Sequence, residues 1–174
     1  MQELIFFIFL SFLAGTIVKT VDHIEDEEKK KHIIRFPLAI IYGILIGYLI
    51  SQSPFSMIFL AAVFTQIIMK KVDNISHKLG YFAMILSLIY FGFPEFVLFP
   101  FMVFLIFSSL DELDKIIFWN KPKWIQDFRP FLELSAIPFL LMGQWQYLTG
   151  ILSFDLGYIS SNFACRCKKT KKYK

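Results

Sequence analysis

Two stretches of this chain set carboxylates, an imidazole and ammonium groups at matching spacings. In Thr16–Asp26, Lys19 stands three residues before Asp22 and Asp26 four after it. In Ile67–His77, Lys70 and Lys71 precede Asp73, and His77 follows it by four. Residues four apart share a face of a helix, so Asp22 with Asp26, and Asp73 with His77, are candidate pairs. Asp111 and Asp114, three apart, make a third. Carboxylates and imidazole so placed hold a divalent cation when waters or phosphate oxygens complete its shell. The expected metal ligands are therefore Asp22, Asp26, Asp73, His77, Asp111 and Asp114, with Mg²⁺ or Mn²⁺ as the cofactor. Lys19, Lys70 and Lys71 are the expected partners of a bound phosphate, and Asp22 and Asp73 the expected catalytic carboxylates. The plainer reading of the same residues is a set of solvated, salt-bridged helix ends.

Asp155 is of another kind, because it lies inside an apolar run. An ionisable group at such depth is expensive and marks an interior path or site by default, so it is a third catalytic candidate beside its structural alternative, a protonated hydrogen-bonded carboxyl. Glu133 follows Arg129 at i+4 and is expected to pair with it.

The elements that must position these groups are greasy. The chain is 56% hydrophobic and 18% charged, with a mean hydropathy of +0.59 and 22 Phe. Its charges are gathered into a few short stretches, and the runs between them show neither period-2 alternation nor a polar helical face. Helices apolar all round, several in succession, imply lipid. The fold class expected is an all-α integral membrane bundle of about seven short transmembrane helices, over residues 4–18, 38–50, 55–69, 79–93, 96–110, 131–142 and 147–164, as one transmembrane domain. Residues 165–174 form a basic cytoplasmic tail. Runs of roughly 12 to 17 residues give about 18–25 Å of helix, short of a hydrocarbon core of about 30 Å, so local thinning or snorkelling lysines are part of this expectation.

Sidedness follows from the basic residues. The N-terminus and the turns Ser51–Pro54, Gly92–Glu95 and Gly143–Gln146 contain no Lys or Arg, which puts all 18 basic residues on the other side. By the positive-inside rule that side is the cytoplasm, giving an N-out, C-in protein. The first run has Glu3 and no basic residue before it and no small-residue cleavage site after it, so it is expected to stay uncleaved. Trp119 and Trp124 stand where interfacial anchors would.

The Lys-x-Val-Asp-x-Ile similarity between the two opening stretches, with weaker echoes at Asp114 and Asp155, predicts parallel repeats of a helical hairpin. Gly43-x-x-x-Gly47 predicts close helix packing within the bundle. Cys165 and Cys167 are expected to be plain thiols, with acylation or metal binding as alternatives. The tail should rest on anionic headgroups of the membrane lipids, and no nucleic acid partner is expected. Ser-His-Asp spacing, a glycine-rich phosphate loop and a zinc motif are all missing from the sequence.

Paired carboxylates on a basic inner face favour a divalent-metal-dependent enzyme acting on a phosphorylated or diphosphate lipid at the cytoplasmic face. The alternatives are a small transporter or channel, with the repeated aspartates as an inner ion site and Asp155 as the coupling carboxylate, and a non-catalytic membrane scaffold or insertion factor. The Lys-heavy basic set fits a multi-pass protein of a prokaryotic cell membrane with its C-terminus cytoplasmic.

Overall fold

A computed structural model describes residues 2–27, 33–52, 55–117 and 129–172. These residues form seven α-helices and no strand: α1 Gln2–Glu27, α2 Arg35–Ser51, α3 Ser56–Ile68, α4 Ile75–Phe91, α5 Leu98–Ile117, α6 Pro130–Leu141 and α7 Gln146–Lys172. Three helices outrun the apolar runs that announce them. α1 continues through the charged stretch to Glu27, α5 through Asp111–Asp114 to Ile117, and α7 through most of the basic tail to Lys172. Lys, Glu and Arg are good helix formers, and hydropathy alone does not mark where a helix stops.

The helix ends follow local chemistry. Pro130 opens α6, where a missing N–H costs nothing. The carboxylate of Asp111 on α5 supplies the cap, accepting from the N–H groups of Phe131 at 3.0 Å and Leu132 at 2.8 Å. α6 ends in a Schellman turn: Gly143 has φ +80°, its N–H reaches the Leu140 carbonyl at 3.0 Å, and that of Gln144 reaches Phe139 at 2.8 Å. α3 ends in the same turn, with Lys70 N–H on Ile67 and Lys71 N–H on Gln66, both at 3.0 Å. Here, though, the left-handed position (φ 54°) is filled by Lys70 rather than glycine.

Packing runs round a closed circuit, α1–α2–α3–α5–α6–α7 and back to α1, with α4 laid along α2. Two parallel pairs are drawn together by glycine. On α1 and α7, a Cβ at Gly15 would overlap the carbonyl of Phe154, and one at Gly157 the carbonyl of Phe12. On α2 and α4, Gly43 lies against the Gly80 carbonyl and Gly47 against Ser87. The G-x-x-x-G of α2 is therefore a packing face within the molecule.

The apolar core fills one end. Phe104, Phe139 and Tyr147 meet there with ring centroids 4.9–5.3 Å apart, among buried Phe55, Ile58, Leu132 and Ile151. The outer surface is apolar as well: each of the seven helices exposes large hydrophobic side chains, among them Phe9, Ile41, Phe64, Ile85, Ile106, Leu140 and Leu156. Among the described residues, one stretch, Leu4–Glu25 of α1, is long and apolar enough to cross a membrane, while α2, α3, α4 and α6 are shorter apolar helices. Trp119 and Trp124 lie outside the described residues, as do the side chains of Cys165 and Cys167.

Candidate functional site

At the end opposite the aromatic core, the charged helix termini surround a cavity of about 560 Å³. Its lining comes from every part of the circuit: Val18, Lys19, Asp22 and Glu25 of α1; Tyr42, Gly43 and Ile46 of α2; Phe59, Ala62, Val63 and Gln66 of α3; Lys70–Asn74 of the following loop; His77, Gly80, Tyr81 and Met84 of α4; Glu112 of α5; Arg129 ahead of α6; and Ile151, Phe154 and Tyr158 of α7. The volume lies within the usual range for a small-molecule site, about 300–1,000 Å³.

The lining changes character with depth. From Gln66 to Phe59 on α3, His77 to Met84 on α4 and Tyr158 to Ile151 on α7, it passes from polar to apolar over two turns, about 10 Å. One end can hold charge and hydrogen bonds; the other can hold hydrocarbon.

A chain of polar contacts crosses four helices at the polar end. Lys19 Nζ donates to the Tyr158 hydroxyl at 3.2 Å and stands 4.5 Å from that ring's centroid. Tyr158 in turn donates to Asp22 Oδ2 at 3.0 Å. Asp22 Oδ1 faces His77 Nε2 at 3.3 Å, and His77 Nδ1 lies 3.2 Å from the Tyr42 hydroxyl. Beside this chain, Glu25 accepts from Arg35 at 2.8 Å and from Ser76. Glu112, buried to 2% exposure, accepts from Gln66 Nε2 at 3.1 Å and pairs with Lys71.

Arg129 is a largely covered cation of the site, its side chain 16% exposed. Its guanidinium lies over the rings of Phe154 and Tyr158, with centroids at 5.4 and 6.0 Å, and its Nε stands 3.9 Å from Asp155 Oδ1. Burial works to lower its pKa, but Asp155 first, then Glu112, outweighs burial and holds it above its ordinary value. Such a group stays charged at every physiological pH.

Of the residues singled out from sequence, Lys19, Asp22, Lys70, Lys71, Asp73 and His77 all line this cavity. Asp22 and His77 are bound to one another, across the two copies of the repeated stretch. Asp111 turns to the α6 cap, and the next residue, Glu112, is the one that enters the cavity. Asp155 sits behind Arg129, outside the lining, and Glu133 is half-buried on α6. The side chains of Asp26 and Asp114 lie outside the described residues. Among the described residues, no three His, Cys, Asp or Glu side chains are grouped as a ready-made metal site. Asp73 stands at the cavity mouth, its Oδ1 accepting from the Asn74 N–H at 2.9 Å.

Sequence reasoning missed Glu25, Glu112, Tyr42, Tyr158 and the place of Arg129 in the cavity. The tyrosines read as ordinary apolar-run aromatics, and Glu112 was hidden beside the more conspicuous Asp111–Asp114 pair.

Comparison with protein-family models, with curated proteins and with solved structures finds no match to this chain.

Proposed function

We propose that this is a multi-pass integral membrane enzyme that binds a phosphorylated or diphosphate lipid in the cavity and acts on its headgroup with a divalent cation. The observation that carries this reading is the polarity gradient of the cavity. Lys19, Lys70, Lys71 and Arg129 surround its polar end, and Phe59, Val63, Met84 and Ile151 line its depth. A ligand matched to that gradient has an anionic head and a hydrocarbon tail.

The membrane reading is supported by the outward apolar side chains of all seven helices. Soluble monomers rarely expose apolar patches larger than a few hundred Å². The basic residues of the described helix ends gather at the polar end, which by the positive-inside rule is the cytoplasmic one. N-out, C-in topology follows. Helices of 12–17 residues then require a locally thinned bilayer.

The cation enters with the phosphate. Mg²⁺ is commonly held by one or two carboxylates, substrate phosphate oxygens and waters rather than by an all-protein cage. In this reading Asp73 would hold the cation and Lys70 and Lys71 the phosphate, and the cation would neutralise charge on the phosphate oxygens. The Asp22–His77 pair is kept for orienting groups around the headgroup.

The test is to mix the purified protein with Mg²⁺ and an alkyl diphosphate bearing a C20 chain, and to follow the phosphorus by ³¹P NMR. Conversion of the diphosphate, lost on chelation and in Asp73→Asn, is the expected result. Binding with no change at phosphorus or at the adjoining carbon would overturn the enzymatic part, and absence of binding would overturn the whole reading.

A further inference from the structure

The cavity has an unpacked wall. Around the circuit, α1 is closed against α7 at Gly15 and Gly157, and α2 against α4 at Gly43 and Gly80. α1 also packs on α2, α3 on α5, α5 on α6 and α6 on α7. α3 and α4, consecutive in the chain and both lining the cavity, do not pack along their length.

The gap between them is bounded above and below. Residues 69–74 join the two helices at the polar end, carrying Lys70, Lys71 and Asp73. At the other end α2 meets α3 through the buried residues Ile50, Phe55 and Ile58. Between those limits α3 offers Ala62 and α4 offers Tyr81, both half-buried and both lining the cavity. The result is a window at the level of the cavity's apolar part, under a loop that carries its cations.

We propose that a lipid's hydrocarbon tail enters and leaves sideways through this α3–α4 window while its phosphate is held under the 69–74 loop. The proposal rests on the lipid-phosphate reading above and adds the route. The physical reason is desolvation. A long tail that came through the polar end would have to pass Asp22, Glu25 and Arg129, stripping water from charges for no compensating contact. Through the window it passes from bilayer to apolar lining without meeting water.

The experiment replaces Cys165 and Cys167 by Ser, introduces Ala62→Cys and Tyr81→Cys, and bridges the two thiols with a cleavable bismaleimide. Loading of two probes is then followed, an alkyl diphosphate with a C20 chain presented in vesicles and one with a C5 chain added from water. The bridge is expected to slow C20 loading about tenfold or more, as closure of a gate does. C5 loading should hold, and cleaving the linker should restore the C20 rate. Unchanged C20 loading in the bridged protein overturns the window, as does failure of linkers of graded length to join the thiols. If neither probe binds to the protein with Ala62 and Tyr81 intact, it is the lipid-phosphate reading itself that falls.

Discussion

Asp22 Oδ1 lies 3.3 Å from His77 Nε2, joining the ends of the two stretches that the sequence repeats. The pair is braced on both sides, by Tyr158 on the second oxygen of Asp22 and by Tyr42 on the second nitrogen of His77. Groups in one such network couple, with interaction energies of about 0.5–3 kcal/mol. Asp22→Asn and His77→Gln should therefore be non-additive in a denaturation double-mutant cycle in detergent. Strict additivity would mean that the two side chains do not act as a unit.

Lys70 fills a left-handed turn position that its counterpart at the end of α6 gives to Gly143. An L-residue there costs about 1–2 kcal/mol relative to glycine. Strain of this sort is kept where a side chain is needed, and Lys70 lines the cavity. Lys70→Gly is expected to raise stability by about 1 kcal/mol while weakening binding of a diphosphate probe. Calorimetric or chemical denaturation reads the first effect and titration with the probe reads the second. A stabilised variant with undiminished binding would remove Lys70 from the site.

Arg129 and Asp155 form a buried pair, and removing one partner of such a pair typically costs about 3–5 kcal/mol, because the other charge is left in the interior. Asp155→Leu should therefore destabilise strongly. The double variant Arg129→Met/Asp155→Leu should recover much of the loss, as judged by unfolding in detergent. A double variant no better than the single one would show that Arg129 is held chiefly by its other neighbours.

The α1–α7 contact depends on two glycines facing each other's helix backbone. A backbone carbonyl cannot yield as a flexible side chain can, so Gly15→Ala and Gly157→Ala must each push the helices apart. Overpacking of this kind costs about 1–3 kcal/mol. Because Lys19, Asp22 and Tyr158 are aligned by the same contact, both variants should also loosen the polar end, read as faster hydrogen exchange of its backbone amides. Wild-type stability in either variant would contradict the close crossing.

Much of this arrangement could be read from spacing. The all-helical fold, and the meeting of Lys19, Asp22, Lys70, Lys71, Asp73 and His77 at one end, follow from where apolar runs stop. Spacing says less about rotation. Asp111 and Glu112 differ by about 100° around α5, and that turn sends one to the backbone of α6 and the other into the cavity. Nor does it say which helices pair. Gly15 and Gly157 are single glycines in separate runs, and the close approach of Gly15 to Phe154 and of Gly157 to Phe12 leaves no local trace. Asp155 was legible as costly, while its service to Arg129 depends on α6 and α7 folding back on each other.

The most direct measurement of the central claim is thermal stability in detergent with a C20 alkyl diphosphate and Mg²⁺, each alone and together. A ligand that binds only the folded protein stabilises it by about 2.7 kcal/mol at a hundredfold excess over Kd. The predicted result is a shift that needs both lipid and Mg²⁺ and is lost in Asp73→Asn and in Lys71→Ala. An equal shift with a neutral alcohol of the same chain length, or none in any combination, would contradict the claim that this cavity reads a phosphate head and a hydrocarbon tail.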